Sequence, residues 1–188
     1  MPRSLRYVYQ LKVSLDGIRP PIWRRLLVPS SITLPELHEV LQISMGWLDT
    51  HLHQFNCGAV RFGQPDPEFR DSVADETGVR LETVLSAKGE RLVYEYDFGD
   101  GWEHKVTLEK ILPYERGAGI VRCTGGRRSG PPEDVGGVPG YAEFLAAYAD
   151  STHPRHREMR QWAGPHFDPN HFDVEKVNVL LRRRRASA

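Results

Sequence analysis

Tyr94-Glu95-Tyr96-Asp97-Phe98-Gly99-Asp100-Gly101-Trp102-Glu103-His104-Lys105-Val106-Thr107-Leu108-Glu109 is the stretch on which the fold turns. Tyr94, Tyr96 and Phe98 alternate with Glu95, Asp97 and Gly99, the period of a half-buried strand. Asp100-Gly101 predicts a two-residue hairpin turn, because both central positions need positive φ, which Asp tolerates and Gly favours. Beyond it, Trp102, His104, Val106 and Leu108 share one face, and Glu103, Lys105, Thr107 and Glu109 the other. The turn gathers Asp97, Asp100, Glu103 and His104 at one end of a sheet, either as a polar hairpin tip or as one wall of a site.

Outward from the hairpin, the same period recurs. Residues 1–6 read as a basic start. Tyr7, Tyr9, Leu11, Val13 and Leu15 predict a first strand, and a second is expected from about Ile22 to Val28, with Arg24 and Arg25 solvated or paired. Thr33-Leu34-Pro35-Glu36 is a capping box, with Pro35 in a first helical turn where its missing donor costs nothing. Leu37, Val40, Leu41 and Met45 continue a helical stripe that Gly46 ends, and His38 on that helix is expected to be a satisfied packing residue. His51, His53 and Phe55 would share one face of a strand, so the two histidines could bind one metal ion. Residues 61–80, with Gln64-Pro65-Asp66-Pro67 and an acidic run to Glu76, read as a solvated excursion, followed by a short helix from Arg80 to Ser86. Residues 1–112 are therefore expected to form an α+β core in the order β-β-α-β-β-β, a β-grasp-like mixed sheet with a packed helix.

Residues 113–188 read as a Gly/Pro-rich loop with a helical C-terminal extension, packed on the core as one compact unit. Pro113 to Gly140 carries glycines and prolines at a density that predicts irregular structure. Loops of that length are commonly functional, and Pro132-Glu133-Asp134-Val135-Gly136-Gly137 brings two carboxylates onto a constrained backbone. Cys123-Thr124-Gly125-Gly126-Arg127-Arg128 lacks the lysine pattern of a phosphate cradle. Helices are expected at Pro139–Tyr148, Pro154–Trp162 and, capped by Asp173, Val174–Leu181. Arg182, Arg183, Arg184 and Arg185 follow as a basic tail.

Lys plus Arg equals Asp plus Glu, 25 of each, so the basic excess of a dedicated nucleic-acid binder is missing. A hydrophobic share of 39% suits a globular chain. No apolar run reaches the roughly 18 residues of a membrane helix. The two cysteines, Cys57 and Cys123, are too few for a disulfide framework. They are expected as reduced thiols in a cytoplasm, and neither has the surroundings of an activated nucleophile.

Several stretches resemble one family. Pro20-Pro21-Ile22-Trp23-Arg24-Arg25, then Leu37-His38 with Gln42 and Met45-Gly46-Trp47, then His51-Leu52-His53-Gln54-Phe55 are similar to the plasmid pRiA4b ORF-3-like family. So are Tyr96 to His104, Cys123 with Gly126, Pro131 to Gly137 with Gly140-Tyr141, and Phe167-Asp168 with Asn178. Residues 64–78 and the arginine tail carry none of it. The resemblance extends to proteins labelled TnpR, passengers of an insertion element, which implies site-specific recombination. The residues offer no nucleophilic Ser in an arginine-rich setting and no C-terminal helix-turn-helix.

Three functional readings follow. The leading one is a non-enzymatic binding or interaction module with a protein or nucleic-acid partner. The second is a metal-dependent enzyme of hydrolase type, with catalytic candidates Asp97, Asp100, His104, Glu133 and Asp134, and a divalent metal held by candidates His51, His53, Asp100 and His104. The third is recombination-linked DNA binding through Arg127, Arg128, Arg182, Arg183, Arg184 and Arg185. The metal reading requires a histidine within about 5 Å of a carboxylate from the hairpin or the long loop. The DNA reading requires those arginines on one face and binding that weakens steeply with salt. Otherwise Asp97 and Asp100 cap the turn, His104 packs beside Trp102, and Glu133 with Asp134 pins the loop.

Overall fold

The computed structural model describes residues 7–65, 73–115 and 121–186, so the basic start at 1–6 and part of the acidic excursion lie outside the described residues. Thirteen elements follow in order: β1 (Tyr7–Leu15), β2 (Trp23–Pro29), α1 (Leu34–Met45), β3 (His53–Cys57), β4 (Val60–Gly63), β5 (Val73–Asp75), α2 (Leu81–Val84), β6 (Arg91–Tyr96), β7 (Trp102–Pro113), β8 (Arg122–Arg127), α3 (Gly137–Ala149), α4 (His156–Ala163) and α5 (Val174–Ala186). The eight strands form one sheet in the order β5-β4-β3-β6-β7-β1-β2-β8. Every pairing is antiparallel except β4 with β5. The class is α+β. No described helix is long and apolar enough to cross a membrane.

Period-2 burial holds through the centre of the sheet. In β1, Tyr9, Leu11, Val13 and Leu15 are buried, and in β7 the inward residues are Trp102, His104, Val106 and Leu108. Helix α1 lays Leu34, Leu37, Val40, Leu41 and Met45 into the same core. Its capping box is formed as read, Thr33 Oγ1 accepting from Glu36 N and Glu36 accepting from Thr33 N. Gly46 closes it in the left-handed region at φ 88°, where a residue without Cβ is favoured. Tyr141 and Phe144 of α3 and Val177 and Leu181 of α5 belong to the same hydrophobic cluster as Leu11 and Leu26. Apolar surface buried in this way supplies the main driving force for folding.

The structure corrects the sequence reading at several elements. Tyr96 pairs with Trp102, so the hairpin connection is residues 97–101, not the two-residue Asp100-Gly101 turn. Asp97 and Gly101 take positive φ, 56° and 65°, and Gly101 N donates to Asp97 O. The strand ends at Tyr96, which leaves Phe98 half exposed and Asp97 buried. The 61–80 stretch contains β4 and β5, and Glu76 is buried rather than solvated. The glycine-rich loop contains the edge strand β8, whose ladder with β2 pairs the backbone groups on its inner side. Its glycines serve packing: a Cβ on Gly126 would stand 2.3 Å from the Phe172 ring. The arginine tail is the last part of α5.

Candidate functional site

Three loops meet at the end of the sheet where β6 turns into β7. The first follows α1. Trp47 is buried and donates its indole N–H to Pro131 O at 2.9 Å, and Leu48 N donates to Glu133 Oε1 at 2.9 Å. Thr50 N donates to the Tyr96 hydroxyl at 3.1 Å, and that hydroxyl donates to Glu133 Oε1 at 3.1 Å. Burial raises the Tyr96 pKa and keeps the proton there. The second loop is the hairpin connection. Asp97 N donates to Leu52 O at 2.9 Å, and Asp97 Oδ1 accepts from Gly99 N and Asp100 N at 3.0 and 3.3 Å. The third is 130–137, tied to the hairpin by Gly136 N donating to Asp100 Oδ2 at 3.1 Å. Gly137 packs so closely that an added Cβ would lie 2.4 Å from Asp100 O.

These ties bring His51, Asp97 and Asp134 together. His51 Nε2 is 3.0 Å from Asp134 Oδ1 and 3.6 Å from Asp97 Oδ2. One ligand atom from each of the three lies within 4.8 Å of the others. Asp97 is buried, His51 half-buried and Asp134 exposed. Nε2 is itself buried, yet it makes no well-aligned hydrogen bond to either carboxylate. The spacing is compatible with three ligands set around a common centre. Two donor atoms each about 2.1 Å from one tetrahedral ion stand about 3.4 Å apart, between the two separations seen here. Asp134 holds its position with φ at 56°, a region sparsely used by residues other than glycine and asparagine-like ones.

The other candidates are placed elsewhere. Strand β3 begins at His53, so His51 precedes it and the shared-face argument does not apply. His53 points into the core, its Nε2 3.1 Å from Glu76 Oε1, its ring stacked on His38 at 3.6 Å. His38 Nδ1 takes the Tyr94 hydroxyl at 2.8 Å and Nε2 faces Asp49 Oδ1 at 2.8 Å. His104 is fully buried beside Trp102, with Nδ1 3.2 and 3.1 Å from the carbonyls of Tyr94 and Trp102. Two acceptors fix the proton on Nδ1, and burial pulls the pKa down to about 4. Asp100 and Glu133 act as ties, as described.

The arginines divide in the same way. Arg127 is exposed on β8, whereas Arg128 is buried and donates to Pro20 O at 2.7 Å. Arg184 pairs with Glu39 of α1, while Arg182 and Arg183 lie on the exposed side of α5. The side chain of Arg185 lies outside the described residues. Arg24, expected at the surface, is 1% exposed. Its guanidinium donates to Ser44 O at 2.7 Å and to Trp23 O and Arg127 O at 2.9 and 3.1 Å. The alternation of β2 carried the signal, since Arg24 shares the inward parity of Leu26 and Val28. Glu76 offered no such signal, because its burial depends on His53 across the sheet.

The family model for plasmid pRiA4b ORF-3-like proteins matches residues 7–176. The chain is 44% identical over 160 residues to the uncharacterized protein y4hQ of Sinorhizobium fredii (strain NBRC 101917 / NGR234), covering 84% of this chain and 81% of that protein. The crystal structure of MM3350, a protein of unknown function from Methanosarcina mazei Go1, matches with a TM-score of 0.83 at 39% identity, covering 92% of this chain and 98% of that one.

Proposed function

The chain belongs to the plasmid pRiA4b ORF-3-like protein family, and from that premise we propose that it is a divalent-cation-binding protein, with His51, Asp97 and Asp134 as ligands. The observation that carries this reading is the buried His51 Nε2, approached by two carboxylate oxygens at 3.0 and 3.6 Å without a well-aligned hydrogen bond to either. One imidazole and two carboxylates suit Zn, Mn or Fe(II). Three protein ligands leave coordination positions for water or a ligand oxygen, the arrangement used in metal-assisted hydrolysis. Tyr96, Glu133 and Asp100 would orient the ligand loops from behind. Thiols held in the protonated form support setting cysteine chemistry aside: desolvation pushes the half-buried Cys57 up to about 11 and raises the buried Cys123 as well.

The test is metal analysis of purified, untagged protein beside His51→Ala and Asp97→Asn. Near-stoichiometric metal in the wild type, with affinity at least about 100-fold weaker in each variant, supports the reading. A screen of ester and phosphodiester reporters then decides between catalysis and binding. Wild-type protein that takes up neither Zn nor Mn in titration overturns it.

A non-enzymatic binding or interaction module is the second reading, supported by a groove of about 760 Å³ between the end of α1, the 129–133 segment and α4–α5. A recombination-linked DNA contact would have to use Arg127, Arg182 and Arg183 without Arg128, whose side chain is buried.

A further inference from the structure

The groove beside α4–α5 has a feature that neither the metal reading nor simple packing uses. Arg24 lines it. Three of the Arg24 donors are taken by backbone carbonyls, and the Phe172 ring covers one face of the guanidinium at 3.9 Å. Nη2 has no hydrogen-bond partner among the described residues, and no described carboxylate lies within ion-pair distance of Arg24. Burial draws its pKa down to about 10, so it stays charged at neutral pH. A buried charge without a counter-ion is costly, and such groups are ordinarily paired. The carbonyl of Ser44, in the last turn of α1, supplies part of the compensation, because a helix C-terminus carries partial negative charge.

The acids lining the groove are committed elsewhere. Glu133 accepts from Leu48 N and the Tyr96 hydroxyl, Asp168 from Asn170 N at 2.9 Å, and Asp173 from Lys176 N at 2.9 Å. His166, His171 and Lys176 add donors at the lining. Part of the lining is apolar: Leu48 is 78%, Trp162 48% and Leu180 39% exposed, and Phe172 and Phe167 are partly buried. A volume of this size is in the range of small-molecule sites, which combine apolar walls with a few placed polar groups.

We propose that this groove binds a small organic oxyanion, a carboxylate or phosphate monoester on a flat apolar body. Arg24 holds the oxyanion through its open Nη2, and Trp162, Leu48 and Leu180 enclose the body. A guanidinium edge with fixed planar geometry is the side chain best matched to such a group. None of His51, Asp97 and Asp134 lines the groove, so its test is run with metal stripped by EDTA and fails or succeeds separately.

Full-length protein is titrated calorimetrically with phenyl phosphate and with benzoate, and with benzyl alcohol as the uncharged control. The expected result is saturable binding of at least one oxyanion at a Kd of about 1 mM or tighter, with the alcohol at least about tenfold weaker. Which oxyanion binds identifies the class. Arg24→Lys is expected to weaken binding about tenfold. Because that buried residue also supports packing, Trp162→Ala at the half-exposed wall provides a second variant, expected to weaken binding severalfold with the fold retained. Chemical-shift changes at Arg24 Nε and Trp162 Nε1 locate the ligand without any substitution. No saturable binding of either oxyanion, equal binding of the alcohol, or shifts confined to another surface would overturn the proposal.

Discussion

His51 and His53 stand two residues apart and have unrelated environments. His51 precedes β3 and faces Asp97 and Asp134, while His53 opens the strand, turns inward and meets Glu76. His104, on the inward face of β7, is a neutral core residue with Nδ1–H aimed at two carbonyls. Its pKa falls from an unfolded value near 6.5 to about 4. Between those values the unfolded chain binds the extra proton, so the contribution to stability is full above about pH 6.5 and is lost as pH falls toward 4. His38, also lowered by burial, acts in the same direction. Urea unfolding should therefore show a stability that drops between pH 7 and pH 5 by about 1 to 2 kcal/mol for His104. His104→Leu should flatten that slope, and an unchanged slope would mean that the imidazole titrates normally in the fold.

Elements matter here chiefly through the loops they leave open. Helix α1 is defined by signals within its own segment: the Thr33–Glu36 box at one end and Gly46 at the other. Thr33→Ala is expected to cost about 1 kcal/mol in thermal or chemical unfolding, with metal uptake unaltered. Gly137, at the start of α3, is different. Its φ of 67° and the 2.4 Å that would separate a Cβ from Asp100 O make it a contact between the third loop and the hairpin. Gly137→Ala should cost about 2 kcal/mol or more and should also displace Asp134 from His51. The paired measurement is unfolding together with metal titration. A Gly137→Ala protein that is destabilised yet binds metal as tightly as the wild type would show that the two loops are not coupled in this way.

Across the whole molecule, the closing contact is between β8 and α5. Asn178 accepts from Cys123 N at 2.8 Å and donates to Cys123 O at 2.9 Å, so one amide side chain pairs with the backbone of an edge strand as another strand would. It also covers an edge that would otherwise be exposed. Asn178→Leu keeps the branched shape and leaves two buried backbone groups unpaired, a cost of about 2 to 4 kcal/mol. Hydrogen exchange should then quicken along β8 and α5 and leave β6–β7 protected; uniform quickening would show that the contact has no local role. Because α5 lines the Arg24 groove and Arg127 O of β8 accepts from the guanidinium, the same variant should loosen oxyanion binding there.

The chain's local patterns determined what depends on neighbours a few residues apart: the strands from period-2 burial in β1, β6 and β7, helix α1 from its caps, and the α+β class. They also named His51, Asp97 and Asp134 within a larger candidate set, since residue types and turn signals are local properties. Tertiary structure alone decided which of those residues meet. The loops that carry them are more than 30 residues apart in sequence, and their separation depends on Trp47, Tyr96, Asp100 and Gly136 making contacts across the fold. It also decided that a glycine-rich stretch becomes β8, because the ladder with β2 and the Phe172 ring against Gly126 reward a backbone without side chains. And it decided that Arg24 and Glu76 are buried, because burial of a charged side chain is set by partners brought in from distant segments rather than by the residues beside it.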